Sequence, residues 1–222
     1  MQKIAIYDLD RTILKTPTFT AFLIFAGGQL GRARGWRMPL WIAALVGYKM
    51  RLYGRKSMKQ FGMKLFIGRE ISFEIAEILA QKFAGRVVPL GIFPGAAQAI
   101  AADRSGECHL VIATAAQELY VNALAAALKF DAVVATRNVQ SGQLYRYLLD
   151  GENCYGTEKL VRVRQWLADQ NIAREDCYIR FYSDHPSDAP LLDWADEGIL
   201  VTAASKYRAM AATRGWYAQD WS

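Results

Sequence analysis

The chain has 222 residues, of which 53% are hydrophobic, and this content supports a sizeable core and excludes a wholly disordered protein. Its three cysteines, Cys108, Cys154 and Cys177, are odd in number and lack metal-site spacing, so we expect a reducing compartment rather than a disulfide framework. The net charge is +6, yet residues 11–69 hold twelve of the 27 basic residues and none of the 21 acidic ones, which indicates an anionic partner.

The first part of the chain predicts one strand followed by helices. Residues 3–7 are mostly β-branched or aromatic, which is typical of a strand. Apolar runs and helical spacing then predict four helices, over residues 19–25, 38–48, 56–67 and 71–83. We expect Gly27-Gly28 to end the first helix and Ser72 to cap the fourth. This helical block therefore predicts an insertion after the first strand that covers one end of a sheet.

After Pro94-Gly95 the pattern alternates between helices and strands. The predicted helices cover residues 96–104, 117–129, 157–170 and 189–195. The predicted strands cover residues 109–114, 132–136, 178–182 and 198–202, and residues 142–149 predict a hairpin arm. Such alternation predicts an α/β fold, a Rossmann-like parallel sheet with helices on both faces. We divide the chain into a catalytic core, residues 1–14 and 86–222, and an α-helical cap, residues 15–85.

Polar side chains follow three of the predicted strands. Asp8 and Asp10 follow the first strand, Thr114 ends the second, and Asp184 follows the fourth. Ligands of open α/β sheets bind beyond the carboxyl ends of the strands, where Lys159 can also reach. Converging carboxylates repel one another unless a cation neutralises them, and their hard oxygens favour Mg2+. With a hydroxyl and a lysine nearby, this edge predicts a phosphate pocket.

Four short motifs occur in order along the chain: Asp8-Leu9-Asp10-Arg11-Thr12, Val111-Ile112-Ala113-Thr114, Gly156-Thr157-Glu158-Lys159, and Tyr182-Ser183-Asp184 with Asp188. As an ordered set they resemble the haloacid dehalogenase (HAD) superfamily, and in particular its phosphatases. The resemblance covers the core from residue 3 to about residue 204. It implies the HAD fold and hydrolysis of a phosphoric monoester.

The resemblance implies a role for each catalytic group. Asp8 would attack phosphorus and form an aspartyl-phosphate. Asp10 would protonate the leaving oxygen and then activate water for the second step. Thr114, Lys159 and the backbone amide of Ala115 would hold the phosphoryl oxygens. The acid at position 10 favours a phosphatase, because dehalogenases of the family lack it.

The resemblance also implies a metal site. Mg2+ would be held by Asp8, the backbone carbonyl of Asp10, and Asp184. Asp188 would orient Lys159 or the water shell of the metal. The chain departs from the family at Arg11, which stands where glycine is frequent and adds a positive charge at the mouth of the pocket.

The position of the cap resembles the subfamily that includes phosphoserine phosphatase. Its phosphoserine enzymes carry an acid shortly after the first motif, which pairs with the substrate ammonium. Here residues 15–19 contain no acid, and the next acid is Glu70, so phosphoserine fits poorly. The core also resembles bacterial HAD-type phosphatidylglycerophosphatases in the run Asp188-Ala189-Pro190-Leu191-Leu192. We therefore expect a phospholipid headgroup, such as phosphatidylglycerophosphate or a lysophospholipid phosphate, as substrate.

The basic, apolar cap predicts binding to an anionic membrane surface through residues 15–69. As a helix, residues 38–48 would span about 16 Å, against the ~30 Å needed to cross a bilayer. We expect Trp36 and Trp41 at the level of the headgroups. Seven basic residues are expected on lipid phosphates: Arg32, Arg34, Arg37, Lys49, Arg51, Arg55 and Lys56. Because Lys3 precedes too short an apolar run for an export signal, we expect a cytoplasmic protein, peripheral on the inner face of the cytoplasmic membrane.

Two other functions stay open. A soluble phosphatase of a small phosphorylated metabolite would have a cap closed over a small polar pocket and would not bind vesicles. A non-enzymatic binding protein would use the basic block, for nucleic acid among other partners. No nucleic-acid module with stacking aromatic residues is recognisable, and we expect no nucleic-acid partner. The apolar cap helices have their own alternative, which is burial inside the cap or in a dimer.

Overall fold

The computed structural model describes residues 1–31 and 36–221. Within them, eight strands form one sheet: β1 (Gln2–Tyr7), β2 (Glu70–Ser72), β3 (His109–Gln117), β4 (Ala132–Ser141), β5 (Leu144–Asp150), β6 (Cys177–Ser183), β7 (Glu197–Val201) and β8 (Tyr217–Gln219). Their order across the sheet is β2-β5-β4-β3-β1-β6-β7-β8. The strands from β4 across to β8 are parallel, whereas β5 runs antiparallel to β4, and β2 antiparallel to β5.

Helices cover both faces of this sheet. They are α1 (Thr18–Gln29), α2 (Arg37–Lys49), α3 (Arg55–Phe66), α4 (Phe73–Gly91), α5 (Pro94–Ser105), α6 (Glu118–Leu128), α7 (Thr157–Asp169), α8 (Ala189–Trp194) and α9 (Ser205–Arg214). Helices α4 to α6 and the cap helices share one hydrophobic core, and α7 to α9 share the other. The predicted α/β class, with a helical insertion after the first strand, is confirmed.

Strand β1 explains how two cores form around one sheet. The side chains of Ile4 and Ile6 belong to the core under α7 to α9, and those of Ala5 and Tyr7 belong to the opposite core. This alternation follows from the two-residue period of a strand, and burial of both faces is typical of a central parallel strand. Because β1 lies between β3 and β6, the residues after Tyr7 emerge at the middle of the sheet edge.

The cap has its own packed centre, which corrects one expectation. Trp41 is only 1% exposed and meets the rings of Phe19 and Phe66 edge-on, with centroids 6.1 and 6.2 Å away. It therefore does not lie at headgroup level as expected, because its ring fills the space between α1 and α3. Trp36, just before α2, is 56% exposed.

The basic residues of the cap differ in their surroundings. The Arg55 guanidinium lies over the ring of Tyr155 at 3.6 Å, and Lys56 forms an ion pair with Glu152 at 3.0 Å. Arg55 and Lys56 begin α3, whereas Arg37 and Lys49 belong to α2 and Arg51 to the turn after it. Two of the seven expected lipid contacts lie outside the described residues: Arg32 and Arg34.

Several element boundaries differ from expectation. Helix α1 continues past Gly27-Gly28 to Gln29. The glycine at position 27 serves packing instead: a Cβ there would lie 3.0 Å from Cδ1 of Phe66, so glycine allows α1 and α3 to approach closely. Ser72 caps α4 as expected, accepting the Ile75 N–H at 3.3 Å. Helix α4 then runs to Gly91, so the predicted domain division at residue 85 falls inside it and stays a prediction.

Three elements were not anticipated: β2, α9 and β8. The last predicted strand is therefore followed by a further helix and strand, and the tail packs back on the core. Trp216 and Trp221 are both buried there. Among the described helices, none combines the length and the apolar character that crossing a membrane requires.

Candidate active site

The carboxyl ends of β1, β3 and β6 meet around one cavity of about 240 Å³. Its lining residues are Asp8, Asp10, Arg11, Arg55, Thr114, Ala115, Tyr155, Lys159, Asp184, His185, Ser187 and Asp188. All seven residues predicted from the motifs are in this lining. The structure thus brings together groups that are up to 180 positions apart in the sequence, and their individual roles stay predictions.

A buried lysine joins two of the carboxylates. The Nζ of Lys159 lies 2.7 Å from Oδ1 of Asp8 and 2.6 Å from Oδ2 of Asp188. The Ser183 hydroxyl donates to the same Oδ2 at 2.8 Å. Lys159 is 1% exposed, so these contacts lie in a low-dielectric environment. The lysine is therefore held in one position, with Asp188 as its anchor on the side away from Asp8.

The charges of this cluster depend on burial and on pairing. Burial raises the pKa of Asp8 to about 7, against the opposing attraction of the Lys159 ammonium. Burial alone would lower the pKa of Lys159, but the carboxylates of Asp188 and Asp8 outweigh it and hold that pKa above its ordinary value. The ammonium is therefore a fixed positive charge beside Asp8, which is what a phosphate-binding lysine must supply.

Asp10 lies at the start of a cap helix. Its Oδ1 accepts the backbone N–H of Thr18, the first residue of α1, at 2.8 Å. Helix starts leave such N–H groups without internal partners, so this contact fixes the Asp10 carboxyl and the start of the cap together. Burial raises the pKa of Asp10. A carboxyl group that retains its proton more readily is suited to act as a general acid.

The first and fourth motifs are joined through a hydroxyl. Oγ1 of Thr12 accepts the backbone N–H of Asp184 at 2.9 Å and donates to Oδ2 of Asp8 at 3.4 Å. Thr12 is fully buried, so this hydroxyl joins the two loops directly. Arg11, beside it, has a φ of 66°, in the left-handed region where glycine is favoured. The family's frequent glycine at this position is therefore explained by the backbone.

The predicted phosphate-binding residues Thr114 and Ala115 lie in the last part of β3, which continues to Gln117, beyond the predicted strand end at Thr114. The hydroxyl oxygen of Thr114 accepts the backbone N–H of Ala116 at 3.1 Å. The carbonyl oxygen of Ala115 accepts hydrogen bonds from Thr136, at 2.8 Å, and from Nζ of Lys59. These two donors fix the peptide between Ala115 and Ala116, which adjoins the Ala115 N–H predicted to bind phosphate.

The sequence motifs missed two cationic side chains of the cap that reach this region. Arg55 lines the cavity and donates from Nε to the Tyr48 hydroxyl at 3.2 Å. Lys59, one helical turn later, donates to Oδ1 of Asn153 at 2.6 Å as well as to Ala115. A signal was present: position 59 belongs to the apolar, buried side of α3, where a lysine needs a partner.

The donors at the cavity fit a hard divalent cation. Asp8 and Asp184 line it together, and the negative charge of Asp184 adds to the raised pKa of Asp8. No group among the described residues donates a hydrogen bond to the Asp184 carboxylate, so its oxygens are free to ligate a metal ion. No three His, Cys, Asp or Glu side chains form a metal cluster within residues 1–31 and 36–221. The predicted set needs only two carboxylates, because its third ligand is the Asp10 carbonyl.

Comparison with known proteins shows which family the chain belongs to. Residues 5–193 match the family described as haloacid dehalogenase-like hydrolase. The chain is 29% identical over 219 residues to "Probable phosphatase Rv3661" of Mycobacterium tuberculosis, covering 96% of this chain and 73% of that protein.

Two solved structures share the fold. A protein of unknown function from Bordetella pertussis Tohama I has a TM-score of 0.87 at 22% identity, with all of both chains covered. A phospho-aspartyl intermediate analogue of phosphoserine phosphatase has a TM-score of 0.63 at 15% identity, covering 99% of this chain and 93% of that one. At these identities the likeness concerns the fold alone.

Proposed function

The chain belongs to the haloacid dehalogenase-like hydrolase family and is a phosphatase; we propose that it is a Mg2+-dependent phosphomonoesterase that works through an aspartyl-phosphate on Asp8. The observation that carries this proposal is the cluster of Asp8, Lys159 and Asp188 in the cavity where the strand ends meet. A nucleophile, a fixed cation and a proton donor, Asp10, then surround one site for a phosphoryl group.

The proposed first step is an in-line displacement at phosphorus. A carboxylate oxygen of Asp8 forms a bond to phosphorus while the bond to the leaving oxygen breaks, and that oxygen takes the proton of Asp10. The pKa of Asp10, which burial raises, favours this role, while the Thr18 N–H opposes that rise and holds the carboxyl in place. The Lys159 ammonium and the backbone amide of Ala115 would hold two of the phosphoryl oxygens.

The proposed second step releases phosphate. Asp10, now a carboxylate, takes a proton from a water molecule, whose oxygen bonds to phosphorus as the bond to Asp8 breaks. Asp8 returns as a carboxylate, so both residues end as they began. Mg2+, held by the carboxylates of Asp8 and Asp184 and by the Asp10 carbonyl, would supply positive charge that keeps those two carboxylates ionised and attracts the phosphoryl group. Asp188 keeps the lysine in place throughout.

We assign a phospholipid headgroup as the substrate class. Residues 11–69, which form most of the cap and include Arg55 at the cavity, contain no acid that could pair with the ammonium of an amino-acid substrate. Arg55 of the cap lines the cavity and offers a second cation. Exposed apolar side chains of the same cap include Leu40, Ile42 and Leu52. A phosphorylated headgroup on a lipid surface would match both features.

A soluble, small phosphorylated metabolite is the second candidate. It is favoured by the size of the cavity, because about 240 Å³ has room for a phosphoryl group and few further atoms. A lipid substrate would then place only its headgroup inside, with its acyl chains outside the cap. The two candidates differ in what the leaving alcohol carries and share the same catalytic groups.

Phosphate release from a panel of substrates tests the proposal. The panel contains phosphatidylglycerophosphate, lysophosphatidic acid, phosphatidic acid, phosphoserine and sugar phosphates, each assayed with Mg2+ and with a chelator. We expect Mg2+-dependent turnover of a lipid phosphate that falls at least about 1,000-fold in Asp8→Asn. Turnover of soluble phosphates alone would favour the second candidate. Equal turnover by wild type and Asp8→Asn would overturn the mechanism.

A further inference from the structure

The outward side of α2 is apolar from Pro39 to Val46. Exposed apolar residues recur there at helical spacing of three, four and seven positions, at Pro39, Ile42, Ala43 and Val46; Met50, just after the helix, continues the row, and the exposed Lys49 flanks it. The three large ones, Ile42, Val46 and Met50, are 55%, 51% and 66% exposed. A surface helix normally turns polar side chains to water, so an outward apolar stripe of this kind indicates a binding surface.

The inward side of α2 is tightly packed, so the exposure of the apolar residues on its outward side does not result from loose packing of the helix. Trp41 is buried between the rings of Phe19 and Phe66. A Cβ at Gly47 would lie 2.9 Å from the hydroxyl oxygen of Tyr53, so the helix and the following turn are in close contact. Helix α2 is therefore fixed in rotation, and the alternative of burial inside the cap does not hold for its outward side.

The turn after α2 is also exposed and partly apolar, and it precedes a residue of the catalytic cavity. Met50 and Leu52 are 66% and 70% exposed, and Lys49 and Arg51 are exposed beside them. Arg55, which lines the catalytic cavity, follows Leu52 by three residues. Three residues of chain span at most about 11 Å, so the exposed apolar turn lies near the mouth of the cavity.

We propose that the outward side of α2 and the turn at residues 50–52, together the docking face, bind the surface of a membrane that contains anionic lipids. The proposal rests on the proposed function for its purpose, because docking would present a phosphorylated headgroup to the cavity. The apolar side chains would enter the acyl boundary, and Lys49 and Arg51 would meet lipid phosphates. No helix needs to cross the bilayer for this mode of binding.

Charge favours a membrane over a second copy of the chain. A symmetric dimer places the same patch of both copies together. Because residues 11–69 contain no acid, Lys49 and Arg51 of one copy would then face the same cations of the other, and no residue of this segment could neutralise them. An anionic lipid surface supplies that neutralising charge at every position.

Vesicle co-sedimentation tests the docking face directly. The probes are vesicles of phosphatidylcholine alone and of phosphatidylcholine with phosphatidylglycerol, neither of which is a phosphomonoester. The test variant is Met50→Glu/Leu52→Glu, and the matched control is Ile78→Glu/Leu90→Glu, which changes two exposed apolar residues of α4. All three proteins are also assayed with p-nitrophenyl phosphate, whose turnover does not require a membrane.

We expect wild type and the control to sediment with the anionic vesicles, and the test variant to partition at least about tenfold less. All three should hydrolyse p-nitrophenyl phosphate at similar rates. Wild type that stays in solution, or a test variant that binds like the control, would overturn the docking face. Light scattering gives a further test. If the wild type is a dimer and Met50→Glu/Leu52→Glu is a monomer, a second copy covers this surface and the docking face is overturned.

The result separates this inference from the proposed substrate. Vesicle binding without turnover of any lipid phosphate would support the docking face and count against the lipid substrate. Turnover of a lipid phosphate dispersed in detergent, without vesicle binding by the wild type, would support the lipid substrate and count against the docking face.

Discussion

Lys59 of the cap donates a hydrogen bond to the carbonyl oxygen of Ala115, a residue predicted to bind phosphate. The same ammonium donates to Asn153, which lies just ahead of α7. One side chain therefore connects α3 to two segments of the core at the wall of the cavity. Burial, with the charge of Arg55 as a second cause, lowers the pKa of Lys59 to about 7.

Replacing Lys59 should impair catalysis more than folding. In Lys59→Met the Ala115 carbonyl loses one of two donors, so its peptide loses orientation while the apolar stem of the side chain is kept. We expect kcat/KM to fall about tenfold or more, with most of the loss in kcat, because misplaced groups lose transition-state contacts. Lys64→Met, on the exposed side of α3, is the matched control and should retain wild-type kinetics. A uniform change in KM alone would argue against a role in positioning Ala115.

Removing the cation between the two carboxylates should destabilise the core. Lys159→Met leaves Asp8 and Asp188 buried without their partner, and breaking a buried pair costs about 3–5 kcal/mol. Urea unfolding without metal measures this loss. The double variant Lys159→Met/Asp188→Asn should recover part of it, since one uncompensated charge is removed. Lys82→Met, an exposed change on α4, should stay within about 0.5 kcal/mol of wild type.

The stability of the metal-free protein should fall as the pH rises from about 4 to about 7. The pKa of Asp8 is 3.8 ordinarily and about 7 in the folded protein, so the folded state binds this proton more tightly than the unfolded chain. The contribution of Asp8 to the free energy of unfolding is then highest below pH 4, and it falls by at most about 4 kcal/mol by pH 7. Urea unfolding of wild type and Asp8→Asn across this range measures the difference, which should be flat if Asp8 does not titrate.

Mg2+ should reverse that loss. Protons and the metal compete for Asp8, so saturating Mg2+ should raise the melting temperature more at pH 8 than at pH 5. Asp184→Asn should reduce the shift at pH 8. An equal shift at both pH values would contradict a site that includes Asp8.

Two glycines of the helices should respond oppositely to alanine. A Cβ at Gly62 in α3 would lie 2.7 Å from Cδ1 of Leu23 and 2.8 Å from Cζ3 of Trp41, so Gly62→Ala should cost about 1–3 kcal/mol. A Cβ at Gly85 in α4 meets nothing within 4 Å, and Gly85→Ala should add about 0.5 kcal/mol. Thermal unfolding of both variants checks the pair. A stabilised Gly62→Ala would mean that the cap helices are less tightly packed than described.

The predicted site residues were accessible from the sequence because each is a local signal. Asp8, Thr114 and Asp184 end apolar strands, and the topology of parallel sheets brings strand ends together without further information. Lys59 is a different case. Its partners, Ala115 and Asn153, are 56 and 94 positions away in the sequence. They come into contact with Lys59 only through the packing of the cap against the core.

The fold was accessible to a similar extent. Long segments with a periodic pattern of apolar residues predicted their helices and strands. Strand β8, in contrast, has three exposed residues and no alternation of apolar and polar side chains that would indicate a strand. Gly27 shows a further limit: two consecutive glycines predict the end of a helix, but here the small size of Gly27 allows the close contact with Phe66. Packing partners of this kind are known only once the helices are assembled.

Strand β2 limits how the cap can be separated from the core. It emerges between α3 and α4 and pairs with β5, through Ile71 opposite Tyr145. Excising residues 15–85 would remove β2 and leave β5 as an uncovered edge strand, whose free N–H and C=O groups would invite pairing between molecules and aggregation. A capless relative of this enzyme would therefore need a charged or shortened β5 to stay in solution, and the insertion protects the sheet as well as the active site.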